Sequence, residues 1–184
     1  MIPRINAKPE RALREAITSV ARIEDDQIPP SLAALDGVER TEAISLAAIA
    51  TCYVVIDVCS SRWPNRASVR QIAEDLATST TTAEQLHLDA GLIYAYLWRT
   101  VLGPEPLEEV VPDDPMFTRL PVMVLAEALA VYNPKKPKKL SAWEYLDQIE
   151  SAIEVASALD ASVLPAAVMR SYLEAINKPQ DPTG

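Results

Sequence analysis

The chain's one histidine, His87, is followed at helical spacing by Gly91, Tyr94 and Trp98. On a helix these positions fall in one strip. Imidazole is the side chain that titrates nearest neutrality, so one chemistry these residues allow is a small-molecule pocket walled by Tyr94 and Trp98. Gly91 removes bulk where a helix interior favours alanine, at a cost of ~1 kcal/mol, which points to close approach of another helix or a ligand. The plainer reading, which we favour, is a partly buried histidine beside a tight helix crossing. Asp57 and Glu127 are lone acids in two very apolar stretches. A buried carboxylate must be paired or protonated, and a raised pKa is how a carboxyl becomes a general acid. Nothing in the spacing makes Asp57, Glu127 and His87 converge, because they fall on three separate helical patterns.

The residue types exclude more than they offer. One histidine and two cysteines seven residues apart supply no metal-ligand set. Four glycines leave no loop to cradle phosphate, and no nucleophilic serine motif is present. No metal and no cofactor are expected, and the chain is read as non-enzymatic.

The stretch Ser68 to Leu86, "SVRQIAEDLATSTTTAEQL", has the rhythm of a helix, a turn and a second helix. It resembles a helix-turn-helix in general and no particular family. Ile72, Ala73 and Leu76 take the inward positions of a first helix. Arg62, Arg66 and Arg70 are placed to touch phosphates, and Thr81, Thr82 and Gln85 would lie on the reading face. That face carries no Lys or Arg, Ala77 stands where the turn usually has Gly, and the following stretch "LHLDAGLIYAYLWRTVL" is too apolar to stay exposed. Structural packing is the favoured reading of this stretch.

Charge points in the same direction. With 26 acidic and 17 basic residues the formal charge is -9, which disfavours nucleic acid as a bulk partner. Charges are also unevenly placed. Lys135, Lys136, Lys138 and Lys139 form a basic cluster, and about thirty residues without a basic side chain follow it. In that stretch Glu144, Asp147, Glu150 and Glu154 share one side of a helical wheel, with Trp143 beside them. This alternation suits a surface that holds subunits or a protein partner; the plainer and favoured reading is a solvated surface kept soluble by its acids.

The elements that position these residues are helical throughout. The chain is rich in Ala and Leu and 49% apolar, long enough for one domain with a sizeable core. Residues 1–8 read as a flexible arm, 9–177 as a single all-α domain of about seven helices, and 178–184 as a mobile tail. A long apolar helix is predicted over about 39–63. Its uncharged part, Ala43 to Ile56, is shorter than the ~20 residues of a membrane span, so it is expected in the core. Ser68 with Gln71, Thr81 with Glu84 and Ser141 with Glu144 read as capping boxes. They predict helices from 68, from 82 to 102, and from 141 to 159. Another begins at Thr118 or Arg119, and a last one runs over 162–177. Helices 39–63, 82–102 and 119–132 are expected to form the centre. Cys52 and Cys59, roughly 10 Å apart on one helix, are expected as reduced thiols, and the N-terminus lacks an apolar signal core; both suit cytoplasm.

The function expected from these residues is that of a regulatory or interaction protein, acting through helix surfaces on a protein partner, on itself as a homodimer, or on both. A helix-turn-helix regulator using residues 68–90 is the alternative, and a small-molecule pocket at His87, Tyr94 and Trp98 is a third.

Overall fold

Side-chain caps set most of the helix starts. The computed structural model describes residues 5–22, 27–59, 64–79, 88–102, 115–132 and 141–159. Asn6 accepts the Lys8 N–H and opens α1, Ala7–Ser19, which a short 3-10 turn, Val20–Arg22, extends. Helix α2, Pro30–Ala33, starts on a proline, whose missing N–H is no loss in a first turn. Asp36 and Glu39 form a reciprocal capping box at the start of α3, Gly37–Val58. The Arg40 guanidinium donates to the carbonyls of Leu32, Ala33 and Leu35, so the end of α2 is tied to the start of α3. Ser31 binds the α2 segment to α1 through the Ala12 carbonyl at 2.8 Å.

Several predicted boundaries move, each for a local reason. The long helix stops at Val58 instead of running to 63. Asn65, rather than Ser68, caps α4, Arg66–Thr78. Ser68 is the third helical residue and returns the hydrogen bond. Gln71, expected to complete a box with Ser68, donates to Asp75. The expected helix over 82–102 does not run unbroken. Asp89 accepts the Leu92 N–H and begins a new helix, α5, Ala90–Leu97, which loosens into a π turn over Trp98–Leu102. Helix α6, Pro115–Val131, starts before the expected Thr118 and holds Pro121 inside it, where the ring removes one main-chain hydrogen bond. Ser141 and Glu144 cap α7, Ala142–Leu159, at 3.1 and 2.7 Å, as the sequence predicts.

The architecture is an all-α bundle, and the described residues contain no strand. Helices α3 and α6 are central. Every residue of α3 from Leu46 to Ile56 is buried except the half-buried Ile49, with Tyr53 and Ile56 fully enclosed. Helix α6 contributes Val122, Val124 and Leu125, and α1 and α7 cover the pair with Leu13 and Leu146. Each such side chain contributes about 1.5–3 kcal/mol by leaving water. Helix α5 is not a third central helix. It buries Ile93, Tyr96 and Leu97 but exposes Gly91 and Ala95, small residues whose exposure costs little, and it packs against α4. One described helix, α3, is long and apolar enough to cross a membrane, and 67% of its most apolar window is buried inside the fold.

The N-terminal segment expected as a free arm is tied down from residue 5 onward. The Ile5 N–H donates to Glu154 at 3.0 Å, and the Asn6 side-chain amide donates to Glu42 at 3.0 Å. Residues 1–4, the predicted helix over 162–177 and the tail at 178–184 lie outside the described residues.

Candidate functional site

The α4–α5 pair joins two groups of residues that the sequence had assigned to different roles. Helix α4 turns Val69, Ile72, Ala73 and Leu76 inward, leaving Arg66 and Arg70 exposed one turn apart on another face. Helix α5 buries Ile93 and Leu97, leaving Tyr94 and Trp98 half-buried and also one turn apart. The two strips meet in antiparallel register. The Arg66 guanidinium lies 4.5 Å from the centre of the Trp98 ring. Arg70 lies 5.4 Å from that of Tyr94. The two rings are 6.2 Å apart and tilted by 34°. A cation–π contact of this kind is worth about 0.5–1 kcal/mol at an exposed site and does not neutralise the guanidinium charge. Among the described residues neither Arg66 nor Arg70 has an acidic partner, in contrast to Lys8 and Arg14.

Among the described residues, Tyr94 and Trp98 lie under the Arg70 and Arg66 guanidinium groups. Gly91 has a different role from the one expected. It is exposed in the first turn of α5, and a Cβ there would come within 2.9 Å of the capping Asp89 Oδ1. The missing side chain makes room for the cap instead of for another helix or a ligand. His87, Arg62, Thr81, Thr82 and Gln85 lie outside the described residues, as do Lys135, Lys136, Lys138 and Lys139.

The acidic side of α7 is largely engaged within the molecule. Arg14 of α1 reaches across to it and donates to Asp147 at 2.6 Å and to Glu150, while also pairing with Glu10 at 2.9 Å. The same guanidinium lies 5.8 Å from the Trp143 ring. Glu150, expected on an outward partner surface, is buried, and one of its oxygens has no hydrogen-bond partner. The wheel placed it beside Asp147 correctly, but the Arg14 side chain of α1 reaches over that part of the wheel. Burial pushes the Glu150 carboxyl up to about 7 against the pull of Arg14, and neighbouring Glu10 and Asp147 add to the rise. Glu144 caps its own helix, Glu154 accepts the Ile5 N–H, and Trp143 keeps 37% of its surface exposed. Sequence reasoning missed Arg14. Its signal was an i, i+4 Glu-Arg pair on the polar side of α1, a pattern common on solvated helices.

Asp57 accepts the Tyr145 hydroxyl at 2.6 Å. Glu127 is fully buried, and neither of its oxygens has a hydrogen-bond partner among the described residues. Asp75 takes hydrogen bonds from Tyr132 at 3.1 Å and from Gln71, and burial beside that carboxylate raises the Tyr132 hydroxyl. No group of three metal-ligating side chains occurs among the described residues. Both cysteines are free. Cys52 is buried and burial pushes its thiol up to about 12, whereas Cys59 is partly exposed. A thiolate-selective disulfide reagent at pH 8 is therefore expected to label Cys59 in the native protein and Cys52 only on unfolding. Labelling of Cys52 at the rate of Cys59, read by peptide mass, would contradict the burial. No family model, curated protein sequence or solved structure matches the chain.

Proposed function

We propose that the protein is a non-enzymatic interaction protein, acting through a helix surface on a protein partner, and that the contact surface is the α4–α5 face of Arg66, Arg70, Tyr94 and Trp98. The observation that carries this reading is the pair of exposed guanidinium groups placed over two aromatic rings, with no ion pair to an acid among the described residues. Arginine and large aromatics are the side chains on which binding energy concentrates at protein interfaces. Aromatic support also limits the side-chain entropy lost when a partner is engaged. The face on α7 that the sequence favoured is a weaker candidate. Arg14 already neutralises part of its acidic charge and holds its tryptophan in place.

A photo-crosslinking amino acid at exposed Glu74, one turn beyond Arg70 on α4, tests this reading in cells. The captured protein is then purified, and its affinity is measured by calorimetry against wild type and the Arg66→Gln/Arg70→Gln double variant. We expect at least tenfold weaker binding by the variant. A partner bound equally well by both proteins would place the interaction surface elsewhere.

A further inference from the structure

We infer that the α4–α5 face takes an acidic helix of the partner protein, one presenting two carboxylates a single turn apart. This deepens the proposed function and rests on it. Arg66 and Arg70 are at i and i+4, where side chains on one helix are roughly 5–6 Å apart. The rings beneath them repeat that spacing, with centres 6.2 Å apart. Two Asp or Glu residues at i and i+4 of a partner helix have the same repeat, so both pairs can form together. Each pair can be bidentate, because the planar guanidinium fork matches the two oxygens of a carboxylate. Position 74 on the same face is a glutamate, which limits the cationic patch to about two partner charges.

Consecutive phosphates of a nucleic acid have a similar repeat. The overall charge of -9 decides against them. A polyanion many charges long meets the field of the whole molecule, whereas a short acidic helix answers mainly to the local pair.

The test uses the full chain and three dye-labelled probes followed by fluorescence anisotropy. The first is a 16-residue Ala-based helical peptide with two Glu residues at i and i+4. The second has the same composition with the two Glu residues on opposite sides of the helix. The third is a 16-nucleotide single-stranded DNA. The paired peptide is expected to bind at least fivefold more tightly than its isomer, with affinity falling as salt is raised. Arg66→Gln/Arg70→Gln is expected to abolish that preference. Arg66→Lys/Arg70→Lys, which keeps the charge but not the planar fork, is expected to lose most of it. Circular dichroism of both variants should match wild type, because both arginines are exposed. Equal binding of the two peptides, full retention by the lysine variant, tighter binding of the DNA, or no binding by either peptide would each overturn the inference. A protein partner that depends on Arg66 and Arg70, and that the paired peptide does not displace, would overturn the acidic-helix inference while leaving the proposed function in place.

Discussion

Arg14→Ala is expected to lower the stability of the protein by about 3 kcal/mol at pH 7.5, read as a shift of the urea midpoint at unchanged slope. The magnitude comes from what is left behind more than from the bonds removed. One guanidinium bridges Glu10, Asp147 and Glu150 and lies against Trp143. Without it three carboxylates face one another, and Glu150 is buried. Breaking a buried ion pair from one side typically costs about 3–5 kcal/mol, and the exposure of Asp147 places this case at the lower end. Arg14→Lys should recover part of the loss, since an ammonium keeps the charge but cannot serve three acids in fixed geometry. A loss below about 1 kcal/mol for Arg14→Ala would mean that α7 is held to α1 by apolar contact alone.

The same cluster sets a pH dependence. The Glu150 carboxyl titrates near 7 in the folded protein, above its ordinary value of 4.5. The folded state therefore favours the protonated form. The stabilisation this provides is complete below about pH 4.5 and is lost as the pH rises toward and through 7. The span corresponds to at most about 3.4 kcal/mol. Melting temperatures at pH 5.5 and pH 8 should show wild type falling relative to Glu150→Gln, whose amide does not titrate. Parallel curves for the two proteins would remove Glu150 as the source.

Glu127→Met is expected to raise stability, by about 2 kcal/mol. Glu127 of α6 is fully enclosed and neither carboxyl oxygen has a hydrogen-bond partner among the described residues. A polar group left in that state forfeits its hydration without compensation, at about 1–3 kcal/mol, and more if charged. Methionine has nearly the same length and shape and no such requirement. Glu127→Gln is the informative companion, because it keeps the shape and the unmet hydrogen-bonding need; it should give less than half the gain. Destabilisation by Glu127→Met, measured in urea, would show that the carboxylate is paired in solution. If binding to an identified partner is also unchanged in Glu127→Met, Glu127 has no part in the α4–α5 surface.

The sequence by itself determined the class of the fold and most of its local grammar. Helical periodicity and capping residues are short-range signals, because a helix closes its hydrogen bonds within four residues. That is why Ser141 with Glu144 marked the start of α7 and why the apolar run of α3 was legible as core. Where two good caps compete, the local signal is ambiguous: Asn65 won over Ser68, and Asp89 started a helix inside a stretch that reads as continuous. The sequence also marked Arg66 and Arg70, and separately Tyr94 and Trp98, as residues with something to do.

Only the tertiary structure decided that these four belong to one surface. Their meeting depends on the antiparallel register of α4 against α5, which no spacing along the chain encodes. It also decided that Glu150 of α7 is buried and that Arg14 pairs with both it and Asp147. A helical wheel shows which residues share a side. It does not show which neighbouring helix lies over that side, and the charge on Arg14 counts as internal or external only once α1 is in place.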